Sequence, residues 1–309
     1  MRSAIIMLLA AMPAWAAGPP APPRFPELSD KEAWKFLPRE EPPLPVWART
    51  IARSKPRTAA AMLRLDHFHR ERNPLGKALA AKLRWIAADA MGCAYLRAYA
   101  EADLKKAGGL EIAPALAEFA RKMTKAAYTV TDDEVAALVK EHGEAKVVAM
   151  VHTLAHANFQ GRIFLALGCR VEEGGPFPAL DARFDEKRFP PAPPRPDWKE
   201  VAKAKASPDP AFRPPWRPLT HAQAEEAMEE QKARKPRILP PKEFPGGIAA
   251  DQKARAFRIA WTHTSMGHQP ALVQAWFDAM AASGSERKID PVFANTYFWI
   301  ITRSNECFY

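Results

Sequence analysis

The sequence predicts an all-α protein of two helical units joined by a proline-rich connection, and three observations carry that prediction. From Val46 onward apolar residues recur at helical spacing, and no alternating apolar and polar run long enough for a strand appears before the middle of the chain. The prolines, 31 against 14 glycines, crowd the segment after the N-terminal leader and the middle of the chain, where missing backbone donors break helices. The chain also repeats itself. An offset of about 214 positions pairs Pro56 with Pro270, Trp85 with Trp299, Ile86 with Ile300, Cys93 with Cys307 and Tyr95 with Tyr309 without a gap. Two units that each deliver a cysteine near a helix end follow, with Trp85 and Trp299 expected in equivalent buried places.

At 309 residues and 48% hydrophobic, the chain has enough apolar side chains to build cores for both units. Its net charge of +10 comes from Lys and Arg scattered among Asp and Glu, and no basic run is interleaved with aromatics. That pattern describes a solvated surface and gives no reason to expect a nucleic-acid partner. Three cysteines, Cys93, Cys169 and Cys307, are too few and too odd for a disulfide framework. Residues 1–16 combine a basic start, a short apolar run and the small-x-small site Ala14-Trp15-Ala16, the pattern of an export signal. Its apolar run is too short to span a bilayer, so an exported, periplasmic or secreted protein with no membrane span after signal cleavage is expected. There the thiols would cycle with disulfides more readily than in the cytosol.

Residues 17–45 are proline-rich and irregular, with one short helix expected at Ser29-Asp-Lys-Glu, where Ser29 can cap. The first helical domain covers 46–180. Apolar residues at helical spacing predict a helix over 58–68, and Asn73-Pro-Leu-Gly76 breaks the chain before a longer one over 77–103. Thr131-Asp-Asp-Glu134 is a capping-box pattern opening a helix to about His142. A helix over 146–167 is apolar nearly all round and therefore central, with Gly168 as its C-cap. Residues 181–247 form the proline-rich linker, holding one helix over 220–235 that Thr220 caps. The second unit, 248–309, is helical again, and Pro270 and Pro291 mark first turns.

A thiol becomes a nucleophile as thiolate, which a helix N-terminus or a neighbouring cation favours. Cys307 has Arg303 one turn before it and Glu306 beside it, an acid that can accept a proton or raise the thiol pKa; the alternative is a buried small hydrophobe at a helix end. The same alternative holds for Cys93, between Gly92 and Ala94, and Cys169 after Gly168 reads as inert. His152 and His156 share a helical face, but no third ligand accompanies them, so no metal site is expected; His156 reads either as a proton relay or as a hydrogen-bonded core residue. His67 and His69 read as solvated groups near a helix end. The aromatics Trp261, Trp276, Phe277, Tyr297, Phe298 and Trp299 read as core, since no glycine-rich phosphate loop suggests a cofactor.

A helix that delivers a cysteine to its end, a following helix, the Thr131-Asp-Asp-Glu134 cap and an apolar helix containing Ala155-His-Ala-Asn-Phe159 together resemble the alkyl hydroperoxidase D and carboxymuconolactone decarboxylase family. The likeness covers about 45–180, and 248–309 as the first part of a second copy. In that family the motif resembles Glu, then Cys-x-x-Cys-x-x-x-His, with two thiols forming a disulfide as they reduce peroxide. Here Cys93 matches the leading cysteine, while Leu96 and Ala100 stand where the second cysteine and the histidine would be. Cys307 matches in the second copy, and the acid's positions hold Ala81 and Asn295. The resemblance implies a thiol-dependent peroxidase or disulfide reductase acting on a small-molecule peroxide with a dithiol reductant, Cys307 and Glu306 as its reactive pair, Cys93 and His156 as further site residues, and a homo-oligomer. The alternatives are a lactone decarboxylase-like enzyme using His156 without a thiol, and a non-catalytic exported helical module.

Overall fold

The computed structural model describes residues 25–37, 43–181, 184, 187, 189, 191, 194, 219–243, 260–287 and 289–304. Among them every regular element is a helix, as the spacing of apolar residues predicts. None of these helices is long and apolar enough to cross a membrane.

The first helix, α1 (Asp30–Ala33), is opened by Ser29, whose hydroxyl accepts from the Glu32 amide while the Glu32 carboxylate accepts from the Ser29 amide. The segment around it is less irregular than its prolines suggest. Leu28, Ala33, Trp34, Leu37 and Leu44 are buried in the main core, because the few apolar residues between the prolines dock beside α2 (Val46–Ala52).

Helix α3 (Pro56–Glu71) starts with proline at a position where the missing amide costs no hydrogen bond. Its next amides find a partner far along the chain. Glu286, 3% exposed, accepts from the Arg57 amide (2.8 Å), the Thr58 amide (2.9 Å) and the Thr58 hydroxyl (2.6 Å). Glu286 directly follows α11 (Pro270–Ser285), which runs back along α3 with Ala279, Trp276 and Ala282 packed on Ala61 and Leu65. The carboxylate therefore caps one helix and docks another. Glu286→Ala is expected to lose about 2–3 kcal/mol of stability in urea unfolding, since orphaned amides join a lost charged hydrogen bond. A loss below about 0.5 kcal/mol, the range of ordinary surface changes, would deny the carboxylate this role.

The expected helix over 77–103 is two. Helix α4 (Lys77–Met91) stops at Gly92, whose left-handed φ of 71° suits glycine, and the Cys93 amide donates back to the Ala88 carbonyl at 2.9 Å. Helix α5 (Ala94–Lys106) then starts with Cys93 as its N-cap residue. The periodicity continues through the break because both helices bury a face in one core. After α6 (Pro114–Lys125) and a 3-10 turn (Ala127–Thr129), the Thr131 capping box opens α7 (Asp132–His142) as predicted. Helix α8 (Glu144–Leu167) is the predicted central helix, and its twelve buried residues lie among α2, α3, α4, α5, α6 and α7. It ends as α4 does: Gly168 takes φ 71°, and the Cys169 amide donates to the Phe164 carbonyl at 3.0 Å. Gly161 of α8 lies against the α4–α5 corner, where a Cβ would sit 2.1 Å from Met91 Sδ. This glycine permits the close approach of α8 to the Cys93 turn.

Helix α9 (His221–Ala233) carries the predicted Thr220 cap, and α10 (Ala260–His268) packs on α8. Proline opens α11 and α12 (Pro291–Ser304). Two proline-marked or post-break helix starts lie at the expected offset of about 214 positions, Pro56 with Pro270 and Lys77 with Pro291. The environments differ. Whereas α4 is enclosed by α3, α5, α6 and α8, α12 exposes Val292, Phe293, Tyr297, Phe298 and Trp299. The expected burial of Trp299 is thus corrected: it is 56% exposed, while Trp85 is half-buried under Lys82. The aromatic set is core only in part, Trp276 and Phe277 packing inward and Trp261 remaining largely exposed.

Candidate functional site

Two polar groups are built into the main core, one around Cys93 and the other around His156. Cys93 after α4 and Cys169 after α8 are each set immediately after a left-handed glycine. Both thiols belong to the same apolar cluster, Cys93 at 1% exposure and Cys169 partly open. Burial pushes the Cys93 thiol up, and the Leu96 and Tyr95 amides at the start of α5 work the other way without closing a cap hydrogen bond to the sulfur. Cys169 is pushed up to about 12 by burial, with Cys93, Glu27 and Glu172 adding to it.

Glu172 fixes the chain just beyond Cys169. Its Oε1 accepts from the Tyr95 hydroxyl (2.8 Å) and from the Val46 amide at the start of α2 (2.9 Å). The Tyr99 hydroxyl lies 3.2 Å from that of Tyr95, and burial raises both phenols, Tyr95 well above its ordinary range. Glu172 Oε2 is buried with no hydrogen-bond partner among the described residues.

The second group follows from helical spacing. On α3, Asp66, His69 and Arg70 fall on one inward face, and on α8 His152, His156 and Gln160 do the same. The rings of His69 and His156 stack with centroids 3.8 Å apart and planes within 4°. Each is 2% exposed, which corrects the reading of His69 as solvated. Burial drives both imidazoles well below their ordinary value, helped at His69 by His156, Arg84 and His152 and at His156 by Arg84. His152 is lowered to about 4 by burial. All three are neutral at pH 7. The Nδ1 atoms of His69 and His156 have no hydrogen-bond partner among the described residues, so the sequence reading of His156 as hydrogen-bonded holds at most for its other nitrogen.

Beneath the stack two guanidiniums meet two carboxylates. Arg70 grips Asp103 with Nε (2.7 Å) and Nη2 (2.9 Å), reaches Asp66 with Nη1 (3.2 Å), and lies over the Tyr99 ring. Arg84 donates to Asp103 at 3.0 Å, and Gln160 to Asp66 at 2.9 Å. Burial by itself raises Asp66, but Arg70, Arg84 and Gln160 overcome it and hold the carboxyl below its usual value. At Asp103 burial is likewise overcome by Arg70 and Arg84.

No protein-family model, curated protein or solved structure matches the chain. The chemistry is therefore argued from these groups.

Of the residues singled out in the sequence, Cys93 and His156 lie in the core, whereas Cys307 and Glu306 lie outside the described residues. The sequence reading overlooked Asp66, Arg70, Arg84, Asp103, Tyr99 and Glu172. A signal was present for some: Arg84 interrupts the apolar face of α4, and the Asp66, His69, Arg70 spacing puts three polar groups where α3 must face the core.

Proposed function

We propose that the chain is a thiol-dependent peroxidase or disulfide reductase of the hydroperoxidase D kind, and that Cys93 with Cys169 forms its working dithiol. The reading is supported by two Gly-Cys helix ends whose thiols pack in or against the same apolar cluster. Cys93 is the attacking thiol, since two amides at a helix N-terminus favour its thiolate. As thiolate it attacks the distal oxygen of a peroxide, forming the S–O bond of a sulfenic acid as the O–O bond breaks, and the departing alkoxide or hydroxide takes up a proton to leave as alcohol or water. Cys169 condenses with the sulfenic acid, releasing water and forming the disulfide. A small dithiol reductant supplies the two electrons that restore both thiols. Because burial raises both thiols, turnover is slow at neutral pH and increases as pH rises toward the thiol range.

The lactone decarboxylase-like alternative has less support, because His156 is enclosed behind His69. The exposed aromatic surface of α12 favours self-association, in keeping with a homo-oligomer.

The test is stoichiometric peroxide treatment followed by peptide mapping. The expected product is a Cys93–Cys169 disulfide, which needs Cα atoms within about 7 Å. Peroxide turnover with added dithiothreitol should survive Cys307→Ser and disappear in Cys93→Ser and in Cys169→Ser. Turnover that follows Cys307 would move the chemistry to the C-terminus; no peroxide consumption at all would leave the non-catalytic module.

A further inference from the structure

We propose that the cleft between α6, α8 and α10 binds an amphipathic carboxylate, with the apolar body of the ligand among the valines of α8 and its carboxylate among Arg234, Lys235 and Arg237. None of the residues lining this cleft belongs to the Cys93–Cys169 pair, so the proposal stands apart from the thiol chemistry.

The cavity holds about 500 Å³, within the ~300–1,000 Å³ typical of small-molecule sites. Phe119 and Met123 of α6, Val148 and Val151 of α8 and Trp261 of α10 make its walls. The α8 valines are available because that helix is apolar nearly all round, so that a face remains toward α6 and α10 beyond the one packed on α4 and α5. Trp261 is largely exposed on the cleft, as expected of an aromatic that a ligand would cover.

One edge is cationic. Just beyond α9, Arg234 and Arg237 both bind Asp132 Oδ1, and Arg237 also donates to the Val130 carbonyl at 2.7 Å. One carboxylate neutralises only one of the two guanidiniums, and Lys235 adds a further positive charge. The anchoring to Asp132 and Val130 holds the guanidiniums in place before a ligand arrives, which reduces the ordering needed on binding. Among the described residues that line the cleft none is acidic, and the carboxylate on this edge, Asp132, is engaged by both guanidiniums. An anion with a large apolar body satisfies both the walls and the edge, while a cationic amphiphile would meet like charge. His152, also lining the cleft, is neutral near pH 7 and offers a hydrogen-bonding imidazole without adding charge.

The experiment displaces a dansylated fatty acid from the full chain with decanoate, decanol or decylamine. Decanoate is expected to bind about tenfold or more tightly than decanol, and decylamine not to compete. Lys235→Glu should weaken decanoate about tenfold, and Val151→Trp, which fills the cleft, should abolish displacement. Circular dichroism melting checks that each variant is folded. If Val151→Trp does not fold, Lys235→Glu decides, since its side chain is exposed. No probe binding by the folded wild-type chain, decylamine binding as tightly as decanoate, or an affinity unchanged by Lys235→Glu would each overturn the proposal.

Discussion

Below about pH 6.5 the protein is expected to lose stability at up to roughly 4 kcal/mol per pH unit, because three histidines held neutral, His69 and His156 fully buried and His152 half-buried on the cleft wall, take up protons chiefly on unfolding. His69, His152 and His156 each have a folded pKa below the unfolded value of about 6.5. Above that pH both states are neutral at these sites and stability is at its full value. As pH falls, the unfolded chain binds protons that the folded chain refuses, which favours unfolding by about 1.4 kcal/mol per unit for each histidine. His152 stops contributing near pH 4, its folded value, and each member of the stacked pair stops at its own folded value, well below 6.5. Asp66 and Asp103, both held below their ordinary values, add to the loss once the unfolded carboxylates protonate near about pH 4. A typical stability of about 5–15 kcal/mol would then be exhausted between about pH 5 and pH 3. Urea midpoints measured from neutral pH downward give the slope, and His152→Phe should reduce it by about 1.4 kcal/mol per unit above pH 4. A flat profile in this range, or a slope unchanged by His152→Phe, would mean that these imidazoles charge in the folded state.

Periodicity and caps revealed most of the fold in advance, and the reason is local. The Thr131 box, the Gly168 stop and the prolines opening α3, α11 and α12 are decided within one turn of the residue that causes them. The break at Gly92 was also local, yet the apolar face runs on from α4 into α5 and concealed it. The polar sites were harder to read because their partners are distant in the chain. Glu286 reaches Thr58, Glu172 reaches Tyr95 and Val46, and Gln160 reaches Asp66. Nothing near His69 in the sequence announces that His156 stacks on it. The packing of Cys169 against the cluster that holds Cys93 was hidden for a similar reason: it depends on how α8 lies along α4, and no short motif encodes it.

Asp103→Leu is expected to destabilise the protein by about 3–5 kcal/mol, enough to unfold a marginal domain. The carboxylate receives the Arg70 fork and the Arg84 guanidinium together, and both arginine side chains are almost wholly enclosed. Removing it leaves two buried cations with Asp66 as their remaining acidic partner in the cluster. The penalty is chiefly that of an uncompensated buried charge, since the net contribution of the intact pairs is small once desolvation is counted. This makes a sharper prediction than the single loss. Arg84→Met in the Asp103→Leu background restores the balance of one cation to one anion, Arg70 with Asp66, and fills the vacated stem with apolar volume. The double variant should therefore be more stable than the sum of the two single losses predicts, by about 1–3 kcal/mol in a double-mutant cycle. Asp103→Asn, which keeps the shape and loses the charge, should fall between wild type and Asp103→Leu. Additive losses would show that the two guanidiniums reach solvent or another anion when Asp103 is gone, and that the cluster is not a closed balance of charge.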